Sequence, residues 1–590
     1  MAISPAVQAA LRGVQSGQVE STVGPLERWL TQHPSDLEAH RAMGFCMRML
    51  RQRERSLYHF QAVQRGRPAD PEATVNVANA LMGLGRHGEA RKILDASILS
   101  QPAFGPSYIG LSMLDLAADD AEAAVAQARR AVELAPGSFE AAAQLLTAMQ
   151  QASRVEEAVD MARVFSRRWP GHPYFPSVVL WGLHYSDRCR PEEIFERITA
   201  YGRALAAVNP VDARPHANAR DPERPLRVGY VSQDFRNRSA AHFIEPILAH
   251  HDRAKFVAFG YYHGDEVDEM TTRLREYAAG GWREIKTMSD RQVADLIRAD
   301  GIDIMVDLTG HTGLNRLTPL CRRPAPVQMT YMGYPNTTGV PTIDYRIVDA
   351  LTDPAGSERL ASEKLVRMEG CFLCYAPPPH APAVVAGPAA GRADWAVTFG
   401  CFNTLWKLSP ATIGTWVRIL EGVPNSRLLL KASALKDRGL AARYLAMFVE
   451  RGIAAERVEM RGETKGKAEH MGTYGEVDIA LDPFPYNGTT TTLEAIWMGV
   501  PVVTIEGDSH LSRVGLSLLT NLGFGEWVAK SVDEYVAVAL RLAADGPRRA
   551  ALRASLRATL GGSALCDGPA FTRRMEGMYR EAWRGWCAGP

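Results

Sequence analysis

Residues 482–501, DPFPYNGTTTTLEAIWMGVP, hold the densest set of groups that could act on a phosphorylated ligand. The strand pattern VDIALD ends at Asp482, with Phe484 and Pro485 closing it. Asn487-Gly488 predicts a tight turn, because both residues tolerate positive φ. Thr489, Thr490, Thr491 and Thr492 then open a helix with four hydroxyls in its first turn. Such a turn carries free backbone N–H groups and the positive end of the helix dipole, which together seat a diphosphate. Glu494 follows, placed to accept hydrogen bonds from sugar hydroxyls. An ordinary N-capped helix of an α/β domain would show the same residues.

Other candidates are scattered. His311 follows Gly310 at the end of a predicted strand, where a loop would present it to a cleft as a proton acceptor or sugar contact. A lone histidine is otherwise a satisfied structural group. Lys467 and His470, spaced i, i+3 in KGKAEHMG, share one helix face. Lys407, in FNTLWKLSP, stands at a helix entry and read alone is a solvated lysine. Asp478 and Asp482 lie four apart on a strand, and no DxD pair sits in a loop at the strand ends. No catalytic metal is therefore expected.

The elements that must position these groups fall into blocks. A length of 590 residues predicts about three to four domains. The net charge of +1 does not suggest a nucleic-acid binder or a polybasic membrane anchor. Eight cysteines are scattered, and Cys371/Cys374 lacks a second pair at metal-ligand spacing. The start, MAISPAVQAALRGVQ, does not read as a signal peptide, and no apolar run is long enough to span a membrane. A cytoplasmic protein with reduced thiols is the expectation.

Prolines at 34, 68, 102, 136 and 170 keep a constant period, and Ser56, Ala90, Ala124 and Ala158 keep the same step. That spacing is the length of a tetratricopeptide unit, two antiparallel helices whose small residue allows close approach. The array is read over 5–210 as an α-solenoid, its last helices capping the stack. It predicts a concave surface for polypeptide, although along one repeat position (Ala42, Asn76, Gly110, Gln144) only two residues can hydrogen-bond a peptide. A homodimer through the repeats is left open. A polar linker, 211–225, leads to alternating strands and helices over 226–374. A proline- and alanine-rich connector, 375–395, separates these from a second α/β domain, 396–550, and C-terminal helices, 551–590, pack back on the catalytic region. Two facing parallel sheets with a cleft at their carboxyl ends suit a nucleotide ligand.

RVGYVSQDF, VDLTGHT, RRPAPVQMTYMGYPNTTGVPTIDY, FGCFNTLWKLSP, VPNSRLLLKAS, LDPFPYNGTTTTLEAIWMGVPVVT and LCDGPAF together resemble the O-GlcNAc transferase family of protein O-glycosyltransferases. The SPINDLY branch, whose plant members are protein O-fucosyltransferases, is the most similar. The resemblance implies a GT-B fold of two Rossmann-like domains, a nucleoside-diphosphate sugar donor, inversion at the anomeric carbon and Ser/Thr acceptors on proteins. YNGTTTTLEA and the GHT of VDLTGHT favour GDP-fucose, whereas KAEH leans towards UDP-GlcNAc.

The resemblance also assigns roles. Lys407 matches a phosphate-contacting lysine, joined at the donor by Asn403, Asn487, Gly488 and Thr489–Thr492. Glu494 matches the acid that holds the ribose, and Lys467 and His470 match a pair near the nucleotide. Asp234, Asn237, His242, His311, Gln328 and Tyr334 sit in cleft-lining motifs. Many O-GlcNAc transferases carry a histidine once proposed as base in DFxxH; this chain reads DFRNR, with Arg238. His242 and His311 are then the candidate bases, a weak-base mechanism stays open because departure of the leaving group can carry most of the barrier, and Arg238 suits a phosphate or carboxylate. A flagellin-modifying transferase using another activated sugar, such as an acidic one carried on CMP, and a non-catalytic repeat scaffold are the alternatives.

Overall fold

The computed structural model describes residues 4–16, 19–170, 172, 174–313, 315–385 and 396–589. Part of the expected connector, residues 386–395, lies outside them. The chain forms two compact units, Met1–Met161 with Asp437–Ala442, and Ala162–Lys436 with Arg443–Pro590.

The first unit consists of paired helices. Successive first helices begin at Leu37, Pro71, Gly105 and Phe139, and their partners at Arg53, His87, Ala121 and Val155, a constant step of 34. Asp36, Asp70 and Ser138 cap first helices by accepting from first-turn N–H groups. Between the helices of each pair one residue takes a left-handed φ: Arg51, Gly85, Asp119 and Ser153. Ser56, Ala90, Ala124 and Ala158 are buried at 1% exposure or less, and Ser56 Oγ donates to the Gly44 carbonyl at 2.9 Å. Asn76 is itself buried, and Gln144 gives its amide to Ser112 Oγ at 2.9 Å.

The helices Tyr174–Leu183 and Pro191–Val208 do not belong to that unit; they are part of the second one. Gly202 shows why: a Cβ there would stand 2.3 Å from the backbone of Gly339, so this helix lies directly on the loop that follows the fifth strand of the first sheet.

The second unit holds two parallel sheets. The first comprises β1 (Leu226–Ser232), β2 (Phe256–Tyr262), β3 (Gly281–Glu284), β4 (Ile304–Asp307), β5 (Val327–Tyr331), β6 (Tyr345–Asp349) and β7 (Lys364–Met368), in the order β3-β2-β1-β4-β5-β6-β7. The second comprises β8 (Val397–Cys401), β9 (Ser426–Lys431), β10 (Val458–Arg461), β11 (Ile479–Leu481), β12 (Val502–Ile505) and β13 (Val528–Ala529), in the order β10-β9-β8-β11-β12-β13. In both, the order reverses beside the first strand, which opens a crevice at the carboxyl ends. The strands β3, β7 and β13 lie at sheet edges, where a short strand without a long apolar run suffices.

The stretch 211–225 is irregular but held. Asn218 Nδ2 donates to Asp303 Oδ1 at 2.7 Å, and Trp583 Nε1 donates to the Asp221 carbonyl at 2.9 Å. Trp583 lies on the last helix, Gly568–Ala588. The same helix reaches the first sheet through Glu576, which accepts from His251 Nδ1 at 2.9 Å. All eight cysteines are free thiols. Among the described residues no helix is long and apolar enough to cross a membrane, and no group of three or more His, Cys, Asp or Glu is gathered to hold a metal ion.

Candidate active site

The loop after β11 and the helix Thr490–Trp497 form one wall of a cleft of about 430 Å³. Thr489, Thr490 and Thr491 line it with Asn403 and Lys407 from the segment after β8. Neither Asn487 nor Gly488 takes a positive φ, contrary to the expected turn. Gly488 is needed for close approach instead. A Cβ there would stand 2.7 Å from Asp482 Oδ1, Thr491 Oγ1 and Thr492 Oγ1. Its N–H donates to Asp482 Oδ1 at 2.6 Å. Burial pushes the Asp482 carboxyl up to about 6, against the hydrogen bonds from Thr504 and Gly488.

The four threonines divide. Thr489, Thr490 and Thr491 face the cleft, and Thr491 Oγ1 donates to Asn403 Oδ1 at 3.2 Å. Thr492 is 2% exposed and does not line this cleft; its Oγ1 is buried without a hydrogen-bond partner among the described residues. Asn487 is also fully buried. Its Oδ1 accepts from the Gly515 N–H at 3.3 Å, which makes it a brace for the loop and not a ligand contact.

Lys407 Nζ donates to the Asn487 carbonyl at 2.6 Å and stands 3.9 Å from the centre of the Tyr486 ring. Burial pulls its ammonium down to about 8, against the attraction of Asp482. Tyr486 stacks on Tyr185 at 5.2 Å, and Trp406 packs edge-on against Trp181 at 5.0 Å. Tyr185 and Trp181 come from the segment expected to cap the repeats.

Glu494 is the centre of a second cluster. Its Oε1 accepts from Lys467, and its Oε2 accepts from His470 Nε2 at 2.9 Å and from Tyr474 at 3.3 Å. Burial pushes the carboxyl up, but the His470 hydrogen bond and the Lys467 charge more than offset this and bring it to about 2. Lys431, at the carboxyl end of β9, donates to His470 Nδ1 at 2.7 Å. That bond leaves the His470 proton on Nε2, facing Glu494. Lys431 is not among the candidates read from sequence, although its place at a strand's carboxyl end is a usable signal. A ribose diol reaching Glu494 would displace Lys467, whose side chain is 31% exposed.

The first sheet contributes fewer groups than expected. Asp234 and Arg238 line the cleft. Asn237 is exposed, and its N–H donates to Asp268 Oδ2 at 2.7 Å. Gln328 is a correction: it is 0% exposed on β5 and donates to the Leu320 and Thr342 carbonyls at 2.9 and 2.7 Å. Tyr334 is buried between His184 and His311, at ring distances of 5.0 and 5.2 Å. His311 Nε2 donates to the Thr338 carbonyl at 2.6 Å. His242 is 5% exposed, and its Nδ1 has no hydrogen-bond partner among the described residues.

Two parallel sheets, a cleft at their carboxyl ends and a helix N-terminus beside a buried lysine define an α/β protein suited to a nucleoside diphosphate. The chain belongs to glycosyl transferase family 41, whose model matches residues 205–376 and 378–575. A SPINDLY protein of Arabidopsis thaliana, described as a probable UDP-N-acetylglucosamine–peptide N-acetylglucosaminyltransferase, is 41% identical over 413 residues, 70% of this chain and 45% of that protein. The SEC protein of the same plant, described in the same way, is 31% identical over 374 residues, 62% of this chain and 38% of that protein. The chain thus spans less than half the length of these curated relatives. Among solved structures, a mutant O-GlcNAc transferase of Thermobaculum terrenum is 33% identical, with a TM-score of 0.79 over 88% of this chain and 98% of that one.

Proposed function

We propose that this chain is an inverting protein O-glycosyltransferase that moves a sugar from a nucleoside diphosphate to serine or threonine hydroxyls, with GDP-fucose as donor and no catalytic metal. One observation carries this reading. Thr489–Thr491, Asn403 and Lys407, remote in sequence, line a single cleft. The barrier to glycosyl transfer is departure of the diphosphate, and fixed positive charge where negative charge grows lowers it. The first-turn N–H groups and Lys407 supply that charge without a metal. Glu494 would hold the ribose once Lys467 yields, and Asp234 and Arg238 would face the sugar or the acceptor.

The donor rests on the likeness of YNGTTTTLEA to the SPINDLY branch and on the higher identity to SPINDLY than to SEC. UDP-GlcNAc is the second reading, supported by the Lys467–His470 pair and by the names of both relatives. Thermal unfolding against GDP, UDP and CMP, followed by intact-mass assays with the matching sugars, tests the proposal. A ligand of the folded state at a hundredfold excess over Kd adds about 2.7 kcal/mol. A shift with GDP and mass transfer from GDP-fucose are expected. A UDP shift would move the donor to UDP-GlcNAc, a CMP shift to an acidic sugar, and no shift at all would favour a non-catalytic scaffold.

A further inference from the structure

We propose that His510 takes the proton from the acceptor hydroxyl, with Asp353 as the residue that positions it; this rests on the transferase reading above. His510 lies in the loop after β12 and lines the same cleft as Lys407, Tyr486 and Thr489–Thr491. Its Nδ1 donates to Asp353 Oδ2 at 2.5 Å. Asp353 follows β6 of the other sheet, so the pair joins the two halves. Arg346 stands behind the carboxylate, its Nη1 3.4 Å from Asp353 Oδ1. Burial pushes the Asp353 carboxyl up, but Arg346 and His510 hold it well below the usual carboxylate range. The ring is further fixed edge-on to Phe372 at 4.9 Å.

This arrangement has the parts of a general base. A carboxylate on Nδ1 fixes the tautomer and stabilises the imidazolium that forms. The opposite nitrogen, Nε2, makes no hydrogen bond to a described residue, and the side chain, 5% exposed, lines both this cleft and the one beside Asp353 and Arg346. The two histidines expected from sequence are placed otherwise: His311 donates to the Thr338 carbonyl, and His242, although its neighbours Ala240 and Phe243 line the cleft, is not itself among the lining residues. In the step, the acceptor oxygen bonds to the anomeric carbon as its O–H proton passes to His510 Nε2. The bond from that carbon to the diphosphate oxygen breaks, and its electron pair leaves with the diphosphate. The proton returns to water after product release.

The test compares wild type, His510→Asn, His510→Ala, Asp353→Asn and Asp353→Glu with the donor that wild type uses. His510→Asn should lower kcat by about a hundredfold or more, with the donor KM within about threefold. Added imidazole should restore part of the His510→Ala rate, which a purely structural role would not allow. Asp353→Asn should lower kcat while both KM values hold, and Asp353→Glu should recover part of the loss. A His510→Asn kcat within about fivefold of wild type, or no imidazole rescue, overturns the assignment. If the His510 variants do not fold, an Asp353→Asn kcat within about threefold of wild type overturns it instead. A wild-type chain that transfers no sugar would overturn the transferase reading itself.

Discussion

Lys407 Nζ donates to the main-chain carbonyl of Asn487 at 2.6 Å, so the cation is aimed at the loop that leads into the threonine helix. A diphosphate on that helix would exchange this carbonyl for a stronger acceptor. Lys407→Ala is expected to lower kcat by about 10²–10³-fold, the usual loss when one preorganised charge donor is removed. Steady-state kinetics with saturating donor check this.

The same lysine sets an alkaline limit. Only its charged form supports the leaving group, and burial holds the ammonium at about 8. Because kcat/KM reports the donor-free enzyme, it should fall as pH rises through about 8. Lys407→Arg, which keeps its charge, should move that limb upward if any activity remains.

Glu494 makes a stability prediction. Its folded carboxyl is lowered from 4.5 to about 2. A lowered carboxylate contributes stability above its unfolded value and loses it as pH falls through the folded one. The stability gap between wild type and Glu494→Gln should therefore be full at pH 7 and shrink between about pH 5 and pH 2. At pH 7 the substitution leaves Lys467 without its counter-charge and His470 Nε2 without a charged acceptor. Denaturant melts should show a loss of roughly 2–3 kcal/mol, discounted because Lys467 is partly exposed.

His311 should behave as a brace. Its Thr338 hydrogen bond and its packing between Tyr201 and Tyr334 give it a structural role. His311→Ala is expected to cost about 1–3 kcal/mol while kcat stays within about tenfold of wild type. A hundredfold kcat loss at unchanged stability would return it to the catalytic candidates.

Gly202→Ala tests the seat of the helix Pro191–Val208 on the sheets. The added Cβ would meet the Gly339 backbone at 2.3 Å, and overpacking of this kind costs about 1–3 kcal/mol. The unfolding midpoint should fall, whereas the same change at Gly83, where nothing lies within 4 Å of a Cβ, should not lower it.

The repeats and both sheets were legible in the sequence because they rest on local periodicity. A 34-residue step of prolines and small residues and short apolar runs require no knowledge of distant contacts. The threonine turn and Lys407 were legible as motifs. Which side chains face the ligand was not. Gln328, Asn487 and Thr492 share motifs with cleft residues, yet all three are buried, and hydrogen bonds hold Gln328 and Asn487 inward. Lys431 meets His470 across 39 residues of chain, and His510 meets Asp353 across 157. Spacing in sequence carries no information about such pairs. The first exists because the neighbouring strands β9 and β10 share a carboxyl edge and the second because the two sheets meet there, and only the tertiary structure decides which loops come together.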